Sequence, residues 1–108
     1  MRTILMDLDG VLNQYTGYYM PDFIPPIKFG AKEFVAKLSQ DYKIILFTAR
    51  PQKLAENWLV ENKLNGYIKE VTNKKVPAYL HIDDRCIKFD GDYSNLYDEI
   101  QNFHVWYR

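Results

Sequence analysis

Short apolar runs alternate with amphipathic stretches along this chain, and that alternation limits the folds open to it more than any other feature. Thr3 to Leu8 is rich in Ile, Leu and Met and stops abruptly at Asp9-Gly10. This is the pattern of a strand buried on both faces that ends at a turn. From Gly30 onward, Ala31, Phe34, Val35 and Leu38 recur at i, i+3, i+4 and i+7, with Lys32, Glu33 and Lys37 between them, which predicts an amphipathic helix. Tyr42 to Phe47 predicts a second buried strand. Pro51 at a helix start, followed by Leu54, Ala55, Trp58 and Leu59 on one face, predicts a second helix stopping at Asn65-Gly66. Tyr67 to Val71 and Tyr79 to Ile82 predict strands three and four. Cys86 to Phe89 predicts a short fifth, and Asp92 is placed to cap a last helix carrying Leu96, Ile100 and Phe103. Between Asn13 and Phe29, three tyrosines and the prolines Pro21, Pro25 and Pro26 exclude regular helix or central strand, so a loop or small flap is expected there. Strands alternating with helices imply right-handed crossovers. The expected fold is α/β: a single Rossmann-like domain, a mostly parallel sheet with helices on both faces, and a ligand site beyond the carboxyl ends of the strands.

Composition removes several function classes. At 108 residues, 47% hydrophobic and 26% charged, the chain has the make-up of one globular domain. Lys plus Arg and Asp plus Glu number 14 each, so no charge excess holds the protein on duplex DNA. No run approaches the roughly 20 apolar residues of a membrane span. Asp7 interrupts the first apolar run far short of a signal-peptide core, and the single cysteine, Cys86, has no internal disulfide partner. A cytoplasmic protein with no membrane partner is expected. Nine tyrosines, within 16% aromatic residues, exceed what a small core hides, so some are expected to line a surface cleft.

The chemistry lies in where the polar residues fall. Asp7 and Asp9 end the first strand, Thr48 ends the second, and Asp83 and Asp84 end the fourth, so all meet at one edge of a parallel sheet. Each acid taken singly reads as an ordinary turn residue. Four carboxylates converging in one cleft repel one another unless a cation sits among them, and hard oxygen ligands with room for water suit Mg²⁺.

Asp7-Leu8-Asp9-Gly10-Val11-Leu12 resembles the DxDG[TV]L signature of the haloacid dehalogenase superfamily. Ile44-Ile45-Leu46-Phe47-Thr48 is similar to that superfamily's second motif, and a lysine followed by Ile82-Asp83-Asp84-Arg85 is similar to its third and fourth. The motifs occur in the family's order from Met1 to about Phe89. The resemblance implies a Mg²⁺-dependent phosphomonoesterase. Asp7 would attack phosphorus to form an aspartyl-phosphate and bind the metal. Asp9 would give a backbone carbonyl to the metal and act as general acid, then base. Thr48 would bind a phosphate oxygen, and Asp83, then Asp84, would complete the metal ligands. Lys75, eight residues before Asp83, is preferred to Lys74 as the charge-balancing lysine. Gly10 would let the backbone close on the phosphate, with Ala49 and Arg50 beside it; Arg50 holds a position where some phosphatases of nucleic-acid ends carry an arginine. Arg85 would steady Asp83 and Asp84 rather than touch substrate, His81 reads as structural, Trp58, Trp106 and Phe103 as core or terminal-staple residues, and Cys86 as a small buried hydrophobe. Neither gap between motifs can hold a cap domain, so the site is expected to be open, with Tyr15, Tyr18 and Tyr19 at its mouth. Nucleotides or single-stranded nucleic-acid ends are the substrates this suggests. The competing expectation is a phosphoacceptor or regulatory module on the same fold without significant turnover.

Overall fold

The computed structural model describes residues 1–107 and contains β1 (Arg2–Asp7), α1 (Ala31–Leu38), β2 (Tyr42–Phe47), α2 (Gln52–Glu61), β3 (Ile68–Thr72), β4 (Leu80–Ile82) and α3 (Leu96–Gln101), in that order. The four strands form one all-parallel sheet, ordered β3-β2-β1-β4. The fold is therefore α/β and Rossmann-like. The chain steps outward from β1 through β2 to β3, then returns to place β4 on the other side of β1. Strand order reverses at β1, and the crevice at such a reversal, beyond the carboxyl ends of the strands, is where ligands bind in open α/β sheets.

Register brings the motif residues together. Met6 lies opposite both Leu46 and Ile82, Asp7 opposite Phe47, and Phe47 opposite Thr72. The next residues along these strands, Thr48 and Asp83, therefore leave the sheet at the same edge as Asp7. Met6, Ile44, Leu46, Ile68 and Val71 pack with Ala31 and Val35 of α1 and Ala55, Trp58 and Leu59 of α2 in one core. Leu5 and Ile45 alternate with them and point to the opposite face, and they too are buried. The central strands are thus covered on both faces, as their unbroken apolar runs require.

Several boundaries differ from expectation for identifiable reasons. α2 ends before Asn65-Gly66, because Lys63 takes the left-handed conformation at φ 59°. The Leu64 N–H then bonds to the Leu59 carbonyl at 2.8 Å and the Lys63 N–H to the Val60 carbonyl at 3.0 Å. This is a Schellman closure, and burial of both Leu59 and Leu64 draws the turn two residues forward. Pro51 is the N-cap of α2, not its first helical residue. Phe34 is half-exposed rather than in the core. No fifth strand forms over Cys86–Phe89; β4 is three residues long, and nothing pairs on its outer edge among the described residues. Cys86 is exposed instead of buried. Asp92 accepts from the backbone and hydroxyl of Ser94 at 3.0 and 2.8 Å, and these bonds hold its carboxyl below the usual range. α3 starts later, after Asn95, and has no buried residue. No helix among the described residues is long and apolar enough to cross a membrane.

Candidate metal and phosphate site

The loop after β1 is built around Gly10 and Asn13. The Leu12 N–H bonds back to the Leu8 carbonyl at 2.9 Å, closing a tight turn. Asn13 is fully buried; its side-chain oxygen accepts from the N–H groups of Gly10 and Tyr15, both at 3.1 Å, while its amide donates to Asp9 at 3.1 Å. Asn13 thus fixes the conformation of the acid-bearing loop. The signal for it in the sequence is an asparagine shortly after Asp9-Gly10, a residue type that closes turns on the nearby backbone.

Gly10 has φ +84°, and a Cβ there would collide with Asp84 Oδ2 and lie 3.1 Å from the Tyr107 ring. Two separate penalties therefore fall on Gly10→Ala, a left-handed backbone and a steric clash, together about 2–4 kcal/mol. At Gly91, φ is +95° and nothing lies within 4 Å of the same Cβ, so Gly91→Ala meets only the first. In urea unfolding, Gly10→Ala is expected to lower the midpoint clearly more than Gly91→Ala at unchanged slope; equal shifts would mean that Asp84 and Tyr107 do not press on the loop.

Carboxylate oxygens of Asp7, Asp83 and Asp84 all lie within 4.8 Å of one another. Asp7 and Asp84 are half-buried and Asp83 is exposed. The Asp7 carboxyl is pushed up to about 8, first by burial, then by the charge of Asp83 and by the hydrogen bond and charge of Asp84, against the Leu8 backbone N–H, which lowers it. A protonated Asp7 can donate to Asp84. With both ionised, Asp84 Oδ2 is left buried with no hydrogen-bond donor, an arrangement that a cation relieves. Three carboxylate oxygens, one of them orphaned, make a donor set that could hold a metal ion, and the hard oxygen ligands are of the type that Mg²⁺ and Ca²⁺ take.

The carboxylate of Asp9 belongs to a different network. Arg50 Nε donates to its Oδ2 at 2.8 Å and Nη2 to its Oδ1 at 3.0 Å, a two-pronged ion pair. Arg50 is only 3% exposed. Its third donor, Nη1, reaches the Met20 carbonyl at 2.9 Å, and its guanidinium lies 4.6 Å from the centre of the Tyr19 ring. Arg50 thus ties Asp9 to the 13–29 loop. That loop is pinned at its base by the Asn13–Ile27 bridge and held to α2 by the bond from Trp58 Nε1 to the Pro25 carbonyl at 3.1 Å.

Thr48 is buried, and its hydroxyl oxygen accepts from the Arg50 N–H at 3.2 Å, which leaves the hydroxyl proton free to donate. Beside it, between the ends of β2 and β3, is a cavity of about 410 Å³ lined by Thr48, Ala49, Arg50, Thr72 and Lys74. Lys75 follows in the same exposed loop and does not line that cavity. A larger cavity, about 620 Å³, lies at the opposite edge around Tyr42, Lys43 and Tyr67, and contains none of the clustered acids. The Arg85 backbone N–H bonds to Asp83 at 3.0 Å and its guanidinium to the Tyr107 hydroxyl at 3.3 Å, so Arg85 braces the acid turn. His81 is exposed and meets Phe47 edge to face at 6.5 Å. Trp58 is a core residue, but Trp106 is not; it is 54% exposed, with its indole N–H on the Gly10 carbonyl.

No protein-family model matches the chain, and no curated protein matches it. Among solved structures it is similar to a conserved protein from Bacteroides thetaiotaomicron, at 22% identity over 93% of this chain and 89% of that one, with a TM-score of 0.63. At that identity the likeness is one of fold.

Proposed function

We propose that this protein is a Mg²⁺-dependent phosphomonoesterase of the haloacid dehalogenase kind, working through an aspartyl-phosphate on Asp7. The observation that carries the reading is the cluster of Asp7, Asp83 and Asp84 at the point where strand order reverses, with Asp84 Oδ2 buried and unsatisfied. A Mg²⁺ ion would be held by those three carboxylates and the Asp9 main-chain carbonyl, and it supplies charge neutralisation to the phosphate oxygens. An Asp7 oxygen attacks phosphorus, the ester P–O bond breaks, and its electron pair leaves with the alcohol oxygen, which takes a proton from Asp9. Water then attacks phosphorus, gives its proton to Asp9, and releases inorganic phosphate from Asp7. Thr48 donates to a phosphate oxygen, and a lysine of the 74–75 pair balances charge. Asp9 must turn its carboxyl away from Arg50 to serve as donor. The test is hydrolysis of a generic aryl phosphate: turnover is expected with Mg²⁺ and none after chelation.

The hold of Arg50 on Asp9 favours one second reading, a phosphoacceptor module. With Asp9 kept on Arg50, Asp7 would be phosphorylated but slow to release. A phosphoenzyme that persists on Asp7 with no steady release of phosphate would select this reading over the first.

Binding of the cation is expected to depend on pH with a definite sign. The Asp7 carboxyl sits at about 8 in the folded protein against 3.8 in the free chain. Its contribution to stability is therefore full below about pH 4 and is lost as pH rises through about 8. A divalent ion binds the ionised form and releases the proton. The gain in Tm on adding Mg²⁺ should accordingly be larger at about pH 8.5 than near pH 6. A gain that is independent of pH would show that Asp7 does not ligate the ion.

A further inference from the structure

The C-terminal segment folds back onto the acid loop and builds a second site that the proposed chemistry does not use. Trp106 and Gly10 are 96 residues apart in sequence, yet the indole N–H bonds to the Gly10 carbonyl at 2.6 Å. The Tyr107 ring stands against Gly10 beside Asp84, and its edge meets Tyr15 at 5.8 Å and Trp106 at 5.3 Å. Between these rings and the loop residues Lys28 and Phe29 is a groove of about 320 Å³. Gly10 is common to both sites: one side of it faces Asp84, and its carbonyl anchors a wall of the groove.

The lining specifies a chemistry. Phe29 is 98% exposed and Trp106 54%, flat apolar surface on which the face of an aromatic ring can stack. Lys28 holds its ammonium 4.4 Å from the centre of the Trp106 ring and is itself exposed, so it can leave that ring for an anion. The groove is not wholly apolar. The Gln14 amide donates to the Ile27 carbonyl at 3.3 Å, which leaves its oxygen free to accept, and the Thr16 hydroxyl stands on the same rim. A flat ring with hydrogen-bonding edges matches aromatic walls and two polar edge groups, and the mobile Lys28 ammonium can meet an electronegative atom of that ring. A plain hydrocarbon would leave Gln14 and Thr16 unpaired, and a sugar phosphate would leave the rings uncovered.

We infer that this groove is a nucleobase subsite, which takes the base of a nucleotide whose phosphate lies at the Asp7 cluster. The inference rests on the phosphomonoesterase reading for the placement of the phosphate, and on the groove alone for the base. A free nucleotide and the terminal nucleotide of a single strand present the same chemistry to it.

The experiment separates the two dependencies by measuring binding without turnover. In the absence of divalent metal, a nucleoside 5′-monophosphate, ribose 5-phosphate and a short single strand ending in a 5′-phosphate are titrated in turn, following tryptophan fluorescence and, independently, heat. The nucleotide is expected to quench Trp106 and to bind at least about tenfold more tightly than ribose 5-phosphate, equivalent to about 1.4 kcal/mol. Trp106→Leu should reduce that ratio to about twofold or less; because its indole also braces Gly10, Phe29→Ser, at a position too exposed to affect folding, should reduce it as well. Tighter binding of the strand than of the mononucleotide would identify a nucleic-acid end as the source of the base; parity would identify the free nucleotide. Equal affinity for nucleotide and ribose 5-phosphate, or a ratio unchanged by both variants, overturns the subsite, and does so whether or not aryl phosphate is hydrolysed.

Discussion

Asp7→Asn is expected to abolish Mg²⁺-dependent phosphate release while leaving the fold intact or firmer. An amide does not attack phosphorus to give a hydrolysable ester, and it removes the one carboxylate whose burial beside Asp83 and Asp84 raises it to about 8. The same removal relieves repulsion in the cluster, since Asp83 and Asp84 then share the space with a neutral neighbour. Without metal, the variant should therefore be at least as stable as the parent above about pH 8, where Asp7 carries a charge, and should show a smaller response to Mg²⁺. Phosphate release and thermal unfolding across pH give both readings on one preparation. Undiminished turnover would remove Asp7 from the mechanism; lost turnover with a marked loss of stability would make it a structural residue.

The second large effect is expected at the ion pair of Asp9 and Arg50. Breaking a buried pair by removing one partner costs about 3–5 kcal/mol. The Asp9 side chain is 18% exposed against 1% for Arg50, so solvent takes up part of the charge left behind, and Arg50→Ala should cost nearer about 2–3 kcal/mol. For a domain of this size that is a fall in Tm of more than about 8 °C. Asp9→Asn is the more instructive variant. Its amide oxygen can still accept from Arg50, so it should lose less stability than Arg50→Ala. Its rate should fall by roughly 10²-fold or more, the usual scale of general acid-base assistance. Arg50→Lys keeps the charge but not the two-pronged geometry or the third bond to Met20, and should behave closer to Ala than to the parent. If Asp9→Asn proves as unstable as Arg50→Ala and retains its rate, the pair serves the fold alone.

The central strands and the edge at which the acids meet were legible in the residues. Tyr42–Phe47 is bounded as its apolar run suggested, β1 and the two other strands fall within a residue or two, and parallel pairing then leaves no other place for Asp7, Thr48 and Asp83 than one end of the sheet. Periodicity reports that much because it records which side of a strand or helix must leave water, and a strand buried on both faces has one way to lie in a parallel sheet. Phe34 and the C-terminal stretch show its limit. Apolar spacing states what a segment could bury, not whether a partner arrives, and among the described residues no strand pairs beyond β4 to bury Cys86–Phe89.

Everything that distinguishes this site from a generic acid cleft came from contacts without sequence periodicity. Arg50 sits 41 residues from Asp9 and Trp106 sits 96 from Gly10. An arginine after a strand reads the same whether it faces substrate, solvent or a buried carboxylate. Which of these it faces was decided by the 13–29 loop, whose Met20 carbonyl and Tyr19 ring close over the guanidinium and leave the Arg50 side chain 1% exposed. The aromatic tail acquired its place in the same way. Val105 is buried, and the Trp106 indole N–H beside it satisfies the Gly10 carbonyl. Local pattern thus determined the sheet and the edge of the acids, because burial of a strand is a property of the strand. The pairing of Asp9 and the aromatic wall were decided by tertiary structure, because satisfying a charge or a lone carbonyl depends on which distant group the finished fold brings within reach.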